Sequence, residues 1–88
     1  MAGGRINFQF EIPLYELMGV KILGANLTRR SYIVGKDIRG RKLARFDFPE
    51  TADEDNLAII SPSDWFNAKK LDVVLRGTGG VSELDFKV

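Results

Sequence analysis

The chain has 88 residues, of which 44% are hydrophobic and 28% are charged, and this mix is that of one globular domain covering residues 1–88. Cysteine and histidine are both absent, which excludes disulfides, thiolate chemistry, histidine-based hydrolases and histidine-bound zinc. A formal net charge of +1 also excludes the strong uniform charge that is typical of disordered tails.

The missing residue types bear on function as well as on stability. A chain of this length uses most of its apolar residues for one core, and the commonest general base is not available. We therefore expect a non-catalytic protein with no catalytic residues, no metal and no cofactor. Apolar runs remain far shorter than the roughly 20 residues that cross a bilayer. We therefore expect no contact with a membrane. The absence of cysteine also leads us to expect a cytoplasmic protein, or one of another reducing intracellular compartment.

The first part of the chain is predicted to form two strands. Apolar and polar residues alternate over 5–12, which predicts a strand that buries Ile6, Phe8, Phe10 and Ile12. Pro13 ends this strand and suits the first position of a single helical turn over 13–18. A second strand is predicted over 20–28, where Leu23, Ala25 and Leu27 share one face and Val20 and Ile22 the other.

Residues 31–48 are predicted to form a β-hairpin. Tyr32, Ile33 and Val34 open its first strand, and Ala44, Phe46 and Phe48 alternate on its second strand. Between the two lies a charged stretch, 35–42, in which two glycines and Asp37 favour turn conformations. An acidic loop is expected over 50–56, and a short buried strand over 57–60.

The third part of the chain carries the clearest helix signal. Ser61 and Pro62 are typical of a helix start, and Lys69 and Lys70 suit its C-terminal end. A helix over 62–70 is predicted, with Trp65, Phe66 and Ala68 as its packing surface. Strands are predicted over 71–76 and 81–88, and the glycine-rich stretch 77–80 is predicted to join them as a hairpin turn.

These elements indicate an α+β fold that is mainly β. Six to seven short strands with one apolar face each are expected to form a small curled antiparallel sheet or an open barrel, together with the short helix at about 62–70. The two terminal strands, 5–12 and 81–88, are predicted to lie at sheet edges, since the first carries only Arg5 and Glu11 as charges and the last three residues of the second carry only Lys87.

Charge is strongly segregated along the chain. Residues 21–46 hold eight basic residues against Asp37 alone, a net charge of +7, and residues 47–68 hold six acidic residues and no basic one, a net charge of −6. Arginine suits phosphates and carboxylates because its planar fork donates two parallel hydrogen bonds. The hairpin over about 29–45 is therefore the predicted partner-binding element, with Arg29, Arg30, Lys36, Arg39, Arg41, Lys42 and Arg45 as its contact residues.

Three interpretations are consistent with this segregation of charge. The leading interpretation is a binding or assembly module whose basic hairpin contacts an anionic or oppositely charged protein. We expect a homo-oligomer, in which that protein is a second copy of the chain. The alternative is direct binding of nucleic acid by the same hairpin, where Tyr32 is placed to stack on a base. A third interpretation is that the acidic loop 50–56 simply neutralises the basic hairpin as part of an ordinary charged surface.

Overall fold

The computed structural model describes residues 4–26, 31–49, 55–76 and 78–88, and the fold in these ranges is mainly β. Pro62–Trp65 forms a single 3₁₀ turn, the only helical element there. The strands are β1 (Gly4–Gln9), β2 (Glu16–Asn26), β3 (Ser31–Lys36), β4 (Lys42–Phe48), β5 (Asp55–Ala58), β6 (Lys70–Leu75) and β7 (Thr78–Lys87). This confirms the predicted small, mainly β fold with antiparallel strands.

The strands form two antiparallel sheets that pack against each other. The first sheet has the order β1-β6-β3-β4 and the second the order β5-β2-β7. One apolar core joins them, because Ile33 and Val73 from the first sheet belong to the same buried cluster as Leu17 and Ile22 from the second. The two sheets do not close into a barrel. Both terminal strands lie at sheet edges, as the sequence predicts.

Trp65 anchors the 3₁₀ turn to the first sheet. Its side chain is only 2% exposed, and it lies over Gly35 of β3, where the absence of a side chain leaves room for the indole ring. Backbone hydrogen bonds from Leu14 to Ala68 and from Asn67 to Leu14, each 2.8 Å long, tie the segment after the turn to the link between β1 and β2. The prediction that Trp65 is a core residue is therefore confirmed.

The predicted helix over 62–70 is wrong beyond its first turn. Ser61 has a positive φ of 53° and its side chain makes no capping hydrogen bond, so the expected cap is missing. Asn67 has a φ of 73°, a left-handed conformation that stops a helix. Phe66 is 59% exposed and lies edge-to-face against Tyr15, outside the core cluster. Lys70, expected at the helix end, instead opens β6.

The helical turn predicted over 13–18 is also absent. β2 already begins at Glu16, because the backbone of Leu14 and Tyr15 is bound to Ala68 and Lys87 rather than coiled on itself. The first strand ends at Gln9 instead of 12, and Ile12 is 63% exposed.

Other boundaries differ by a few residues or lie outside the described ranges. β5 covers Asp55–Ala58, so it begins inside the predicted loop 50–56, of which 50–54 lie outside the described residues. Ile60 is 77% exposed instead of buried. Val20 and Ile22 form the core face of β2; Leu27 lies outside the described residues.

The hairpin predicted around 77–80 is wrong in its pairing. β6 pairs with β1 and β3, whereas β7, which begins at Thr78, pairs with β2 in the other sheet. The two strands therefore belong to different sheets, and residues 78–80 form the start of β7 instead of a hairpin turn. Within the described ranges, the fold contains no helix of a length and apolarity that would cross a membrane.

Candidate anion-binding surface

The hairpin β3–β4 presents its outward side chains on the face of the first sheet that points away from the core. Alternation places Ile33, Val73 and Phe46 in or against the core, so their neighbours along each strand point to the opposite face. We call this opposite face the basic face. Its positions are Arg5, Asn7 and Gln9 on β1, Lys70, Asp72 and Val74 on β6, Tyr32, Val34 and Lys36 on β3, and Lys42, Arg45 and Asp47 on β4.

One row of the basic face consists of three lysines. The register places Lys36 opposite Lys70 on β6 and opposite Lys42 on β4, with neighbouring strands about 4.8 Å apart. Like charges that face each other across strands repel. An ion pair with Asp72 reduces this repulsion at Lys36, whose Nζ lies 2.9 Å from Oδ2 of Asp72. In the part of the chain that the structure describes, Lys42 and Lys70 form no ion pair.

Asp72 is the acidic centre of the basic face. Its side chain accepts hydrogen bonds from Lys36 on β3 and from the side-chain amide of Asn7 on β1. The bond with Lys36 is the main cause that holds the pKa of Asp72 below its ordinary value, against the opposing effect of burial. Asp72 is therefore ionised at neutral pH, and it neutralises one of the five cations on this face.

Arg45 and Tyr32 form a stacked pair beside the lysine row. The guanidinium carbon of Arg45 lies 3.9 Å from the centroid of the Tyr32 ring, within the range of a cation–π contact. The same guanidinium donates two hydrogen bonds to Oδ1 of Asp47, at 3.1 Å and 2.9 Å. These contacts fix the Arg45 head group in place on an otherwise exposed edge strand.

The tip of the hairpin is organised around Asp37. Its Oδ1 accepts the backbone N–H groups of Arg39 and Arg41, at 2.9 Å and 3.0 Å, and its Oδ2 accepts Nε of Arg41 at 3.2 Å. The backbone donor of Arg41 is the first cause that lowers the pKa of Asp37. Asp37 thus stabilises the turn, and it neutralises the head group of Arg41.

A shallow concavity of about 230 Å³ opens at the centre of the basic face. Its rim carries four of the cations, and its floor is formed by Val34, Val74 and Asp72. Both valines are only 7% exposed although they lie outside the core cluster, because the long side chains around them cover them. The full lining is Arg5, Tyr32, Val34, Lys36, Lys42, Arg45, Asp72 and Val74.

The structure separates the predicted partner-binding residues into two groups. Lys36, Lys42 and Arg45 lie together on the basic face, whereas Arg39 and Arg41 lie at the hairpin tip. Arg29 and Arg30 lie outside the described residues. Sequence reasoning missed Arg5 and Lys70, which adjoin the hairpin only because β1 and β6 are the next strands of the same sheet. Five basic and two acidic residues give the basic face a net charge of +3.

Within the described ranges, no group of three or more acidic side chains comes together as a metal site would require. Comparison of the chain with family models, with curated proteins and with solved structures finds no match.

Proposed function

We propose that the protein is a non-catalytic binding module that holds an anionic partner on its basic face. The observation that carries this proposal is the cross-strand lysine row, in which Lys42 and Lys70 flank Lys36. Three neighbouring ammonium groups with one carboxylate among them repel each other when the face is free. A bound anion removes that repulsion, so part of its binding free energy comes from relief of strain already present in the sheet.

The shape of the basic face favours an extended partner over a compact one. The concavity is shallow and open, with about 230 Å³ of space, and this is less than the 300–1,000 Å³ that usually encloses a small molecule. The cations are spread over all four strands of the first sheet. We therefore expect repeated weak charge contacts along an acidic polypeptide or another polyanion, and a strong dependence of affinity on salt.

Nucleic acid is the second candidate, and the pair formed by Tyr32 and Arg45 favours it. Aromatic rings and guanidinium planes beside a basic groove are the groups on which unpaired bases stack. Single-stranded nucleic acid is the form that fits, because an open sheet face offers no element that projects into a duplex groove.

Charge-neutralising variants test the proposed function. Lys42→Gln removes one cation of the lysine row, and Lys87→Gln removes an exposed cation of β7 on the other sheet, so the two variants have the same net charge. Binding of a fluorescent polyglutamate peptide and of a fluorescent single-stranded oligonucleotide is measured over a series of salt concentrations. We expect Lys42→Gln to weaken binding several-fold at low salt and, for the oligonucleotide, to reduce the salt slope by about 1, and Lys87→Gln to change little.

Asp72→Asn provides a test in the opposite direction. This substitution keeps the shape of the side chain and its contact with Asn7, but it releases Lys36 from its ion pair. Affinity for the preferred anion should rise, since one negative charge has left the face. Equal effects of Lys42→Gln and Lys87→Gln, or weaker binding by Asp72→Asn, would refute the proposed function. Tighter binding of the oligonucleotide than of the peptide at equal salt would select the second candidate.

A further inference from the structure

The free edge of β4 lies where the two sheets fail to close. β4 is the last strand of the first sheet and pairs only with β3 within the described residues. Beside it runs a groove of about 350 Å³ that separates β4 from the segment 59–65. Ile60, on the far wall of this groove, is 77% exposed. An unpaired strand edge with open space beside it is a site that accepts a further strand.

The side chains of β4 are arranged so that the strand complements itself. A register shift interrupts its pairing with β3 near Lys42, and the regular part covers 44–48, whose centre is Phe46. Antiparallel pairing of two such segments about Phe46 places Arg45 opposite Asp47 of the second copy, and Asp47 opposite Arg45. Opposite charges that face each other across antiparallel strands are stabilising.

The inward side chains of β4 fit the same arrangement. Pairing about Phe46 places the small side chain of Ala44 opposite the large side chain of Phe48 from the second copy, and brings the two Phe46 rings together on the core side. Ala44 and Phe46 are only partly buried in the single chain, so both have apolar surface left to cover. The groove beside β4 gives the second strand space on this side.

The charges of the other edge strands suit self-pairing less well. β7 carries Glu83 and Asp85 two positions apart, and pairing with its own copy about the residue between them would oppose acid to acid. β1 has a single charged residue, Arg5, and β5 has four residues with one charge. β7 also has an oppositely charged pair, Asp85 and Lys87 about Phe86, but this pair lies at the end of the strand, where Lys87 is 3.9 Å from Glu16 of its own chain. Among the described edges, β4 alone has such a pair at the centre of a regularly paired segment.

We propose that β4 pairs antiparallel with β4 of a second copy of the chain about a two-fold axis at Phe46. The two four-stranded sheets then form one continuous sheet of eight strands, because each contributes the order β1-β6-β3-β4. This pairing blocks the exposed edge and closes the interface after two subunits. The dimer needs no anionic partner, so this proposal goes beyond the proposed function and does not depend on it.

Charge reversal within the mirrored pair tests the dimer by sedimentation velocity at micromolar protein concentration. Arg45→Asp and Asp47→Arg each place like charges opposite each other twice in a homodimer, and each is expected to raise the dissociation constant by about tenfold or more. Mixing the two variants restores attraction at both positions, so the mixture should form a heterodimer that neither variant forms alone. Glu83→Arg, on the outer face of the second sheet, is the control and should leave the dimer intact.

A cross-link supplies an independent measurement. The chain has no cysteine, so Phe46→Cys introduces a single thiol at the proposed axis. Residues directly opposite in antiparallel strands have Cα atoms about 4.5–5.5 Å apart, within the range that a disulfide bridges. We expect mild oxidation to give covalent dimers of Phe46→Cys and few of Ser82→Cys on β7. A monomeric wild-type protein at these concentrations, a mixture of charge variants that stays monomeric, or equal cross-linking at both positions would overturn the proposal.

Discussion

Gly35→Ala is expected to destabilise the fold through one contact. A Cβ atom at Gly35 would lie 2.6 Å from Cε3 and 2.9 Å from Cζ3 of Trp65. Ordinary contacts between carbon atoms are about 3.5–4.0 Å, so the indole ring has to move by about 1 Å. The ring is 2% exposed and its other side is packed, so the displacement disturbs the core.

The expected size of the effect combines two opposing contributions. Overpacking a well-filled core costs about 1–3 kcal/mol, and replacing glycine by alanine recovers about 0.4–1 kcal/mol through the unfolded chain. The midpoints of these two ranges differ by about 1.3 kcal/mol. A loss of this size in the free energy of unfolding lowers the melting temperature by roughly 5 to 10 °C for a domain of this size. Urea unfolding followed by fluorescence measures the loss, because Trp65 is the only tryptophan.

A second glycine provides the matched control. Gly80 lies in β7, and a Cβ atom added there meets nothing within 4 Å, so Gly80→Ala should change stability by less than about 0.5 kcal/mol. In a Trp65→Leu background, which lacks the two clashing ring carbons, Gly35→Ala should cost less than in the wild type when unfolding is followed by circular dichroism. Equal stabilities of Gly35→Ala and Gly80→Ala would refute the packing argument.

Two further predictions concern buried polar groups of the first sheet and of the turn between β3 and β4. The pKa values of Asp37 and Asp72 are lowered, so the stability that these carboxylates add to the fold is complete above the ordinary pKa of 3.8 and is lost as the pH falls through the lowered values. In urea unfolding below pH 4, the double variant Asp37→Asn/Asp72→Asn should therefore lose stability less steeply than the wild type. Parallel curves of stability against pH would contradict this role of the two carboxylates. Ser31 is fully buried and its Oγ accepts the backbone N–H of Arg76 at 2.8 Å. Ser31→Ala leaves that donor unpaired and should lower the free energy of unfolding by about 1–2 kcal/mol in thermal melts. Ser82→Ala, at an exposed position of β7, should be close to neutral in the same measurement.

The elements that the sequence predicts correctly are those determined by neighbours along the chain. The hairpin β3–β4 follows from alternation on both sides of a charged stretch, and Asp37 is bound by the backbone that immediately follows it. The helix over 62–70 fails because distant contacts decide that segment. Lys69 donates its backbone N–H to Lys36 at 2.8 Å, and this draws the chain into the first sheet before a second helical turn can form.

The same distinction explains which part of the basic face the sequence reveals. Lys36, Lys42 and Arg45 fall within one charged stretch, so a count of charge along the chain finds them. Lys70 and Asp72 lie in a different stretch, and only the pairing of β6 with β3 brings them beside Lys36. Composition therefore predicts an excess of positive charge on the hairpin, but neither the completion of the lysine row nor its partial neutralisation by Asp72.

The two proposed surfaces of β4 share Arg45, and they are compatible because the lysine row lies outside the paired segment. Lys42 lies beyond the regular segment 44–48, so pairing of two copies leaves this lysine on the basic face and available to an anion. Arg45 already donates to Asp47 of its own chain, and a second copy offers it an equivalent carboxylate. Pairing at β4 therefore joins two basic faces side by side without using up the lysine rows. An extended anion that reaches both rows should bind the dimer more tightly than the monomer, because its second contact is intramolecular.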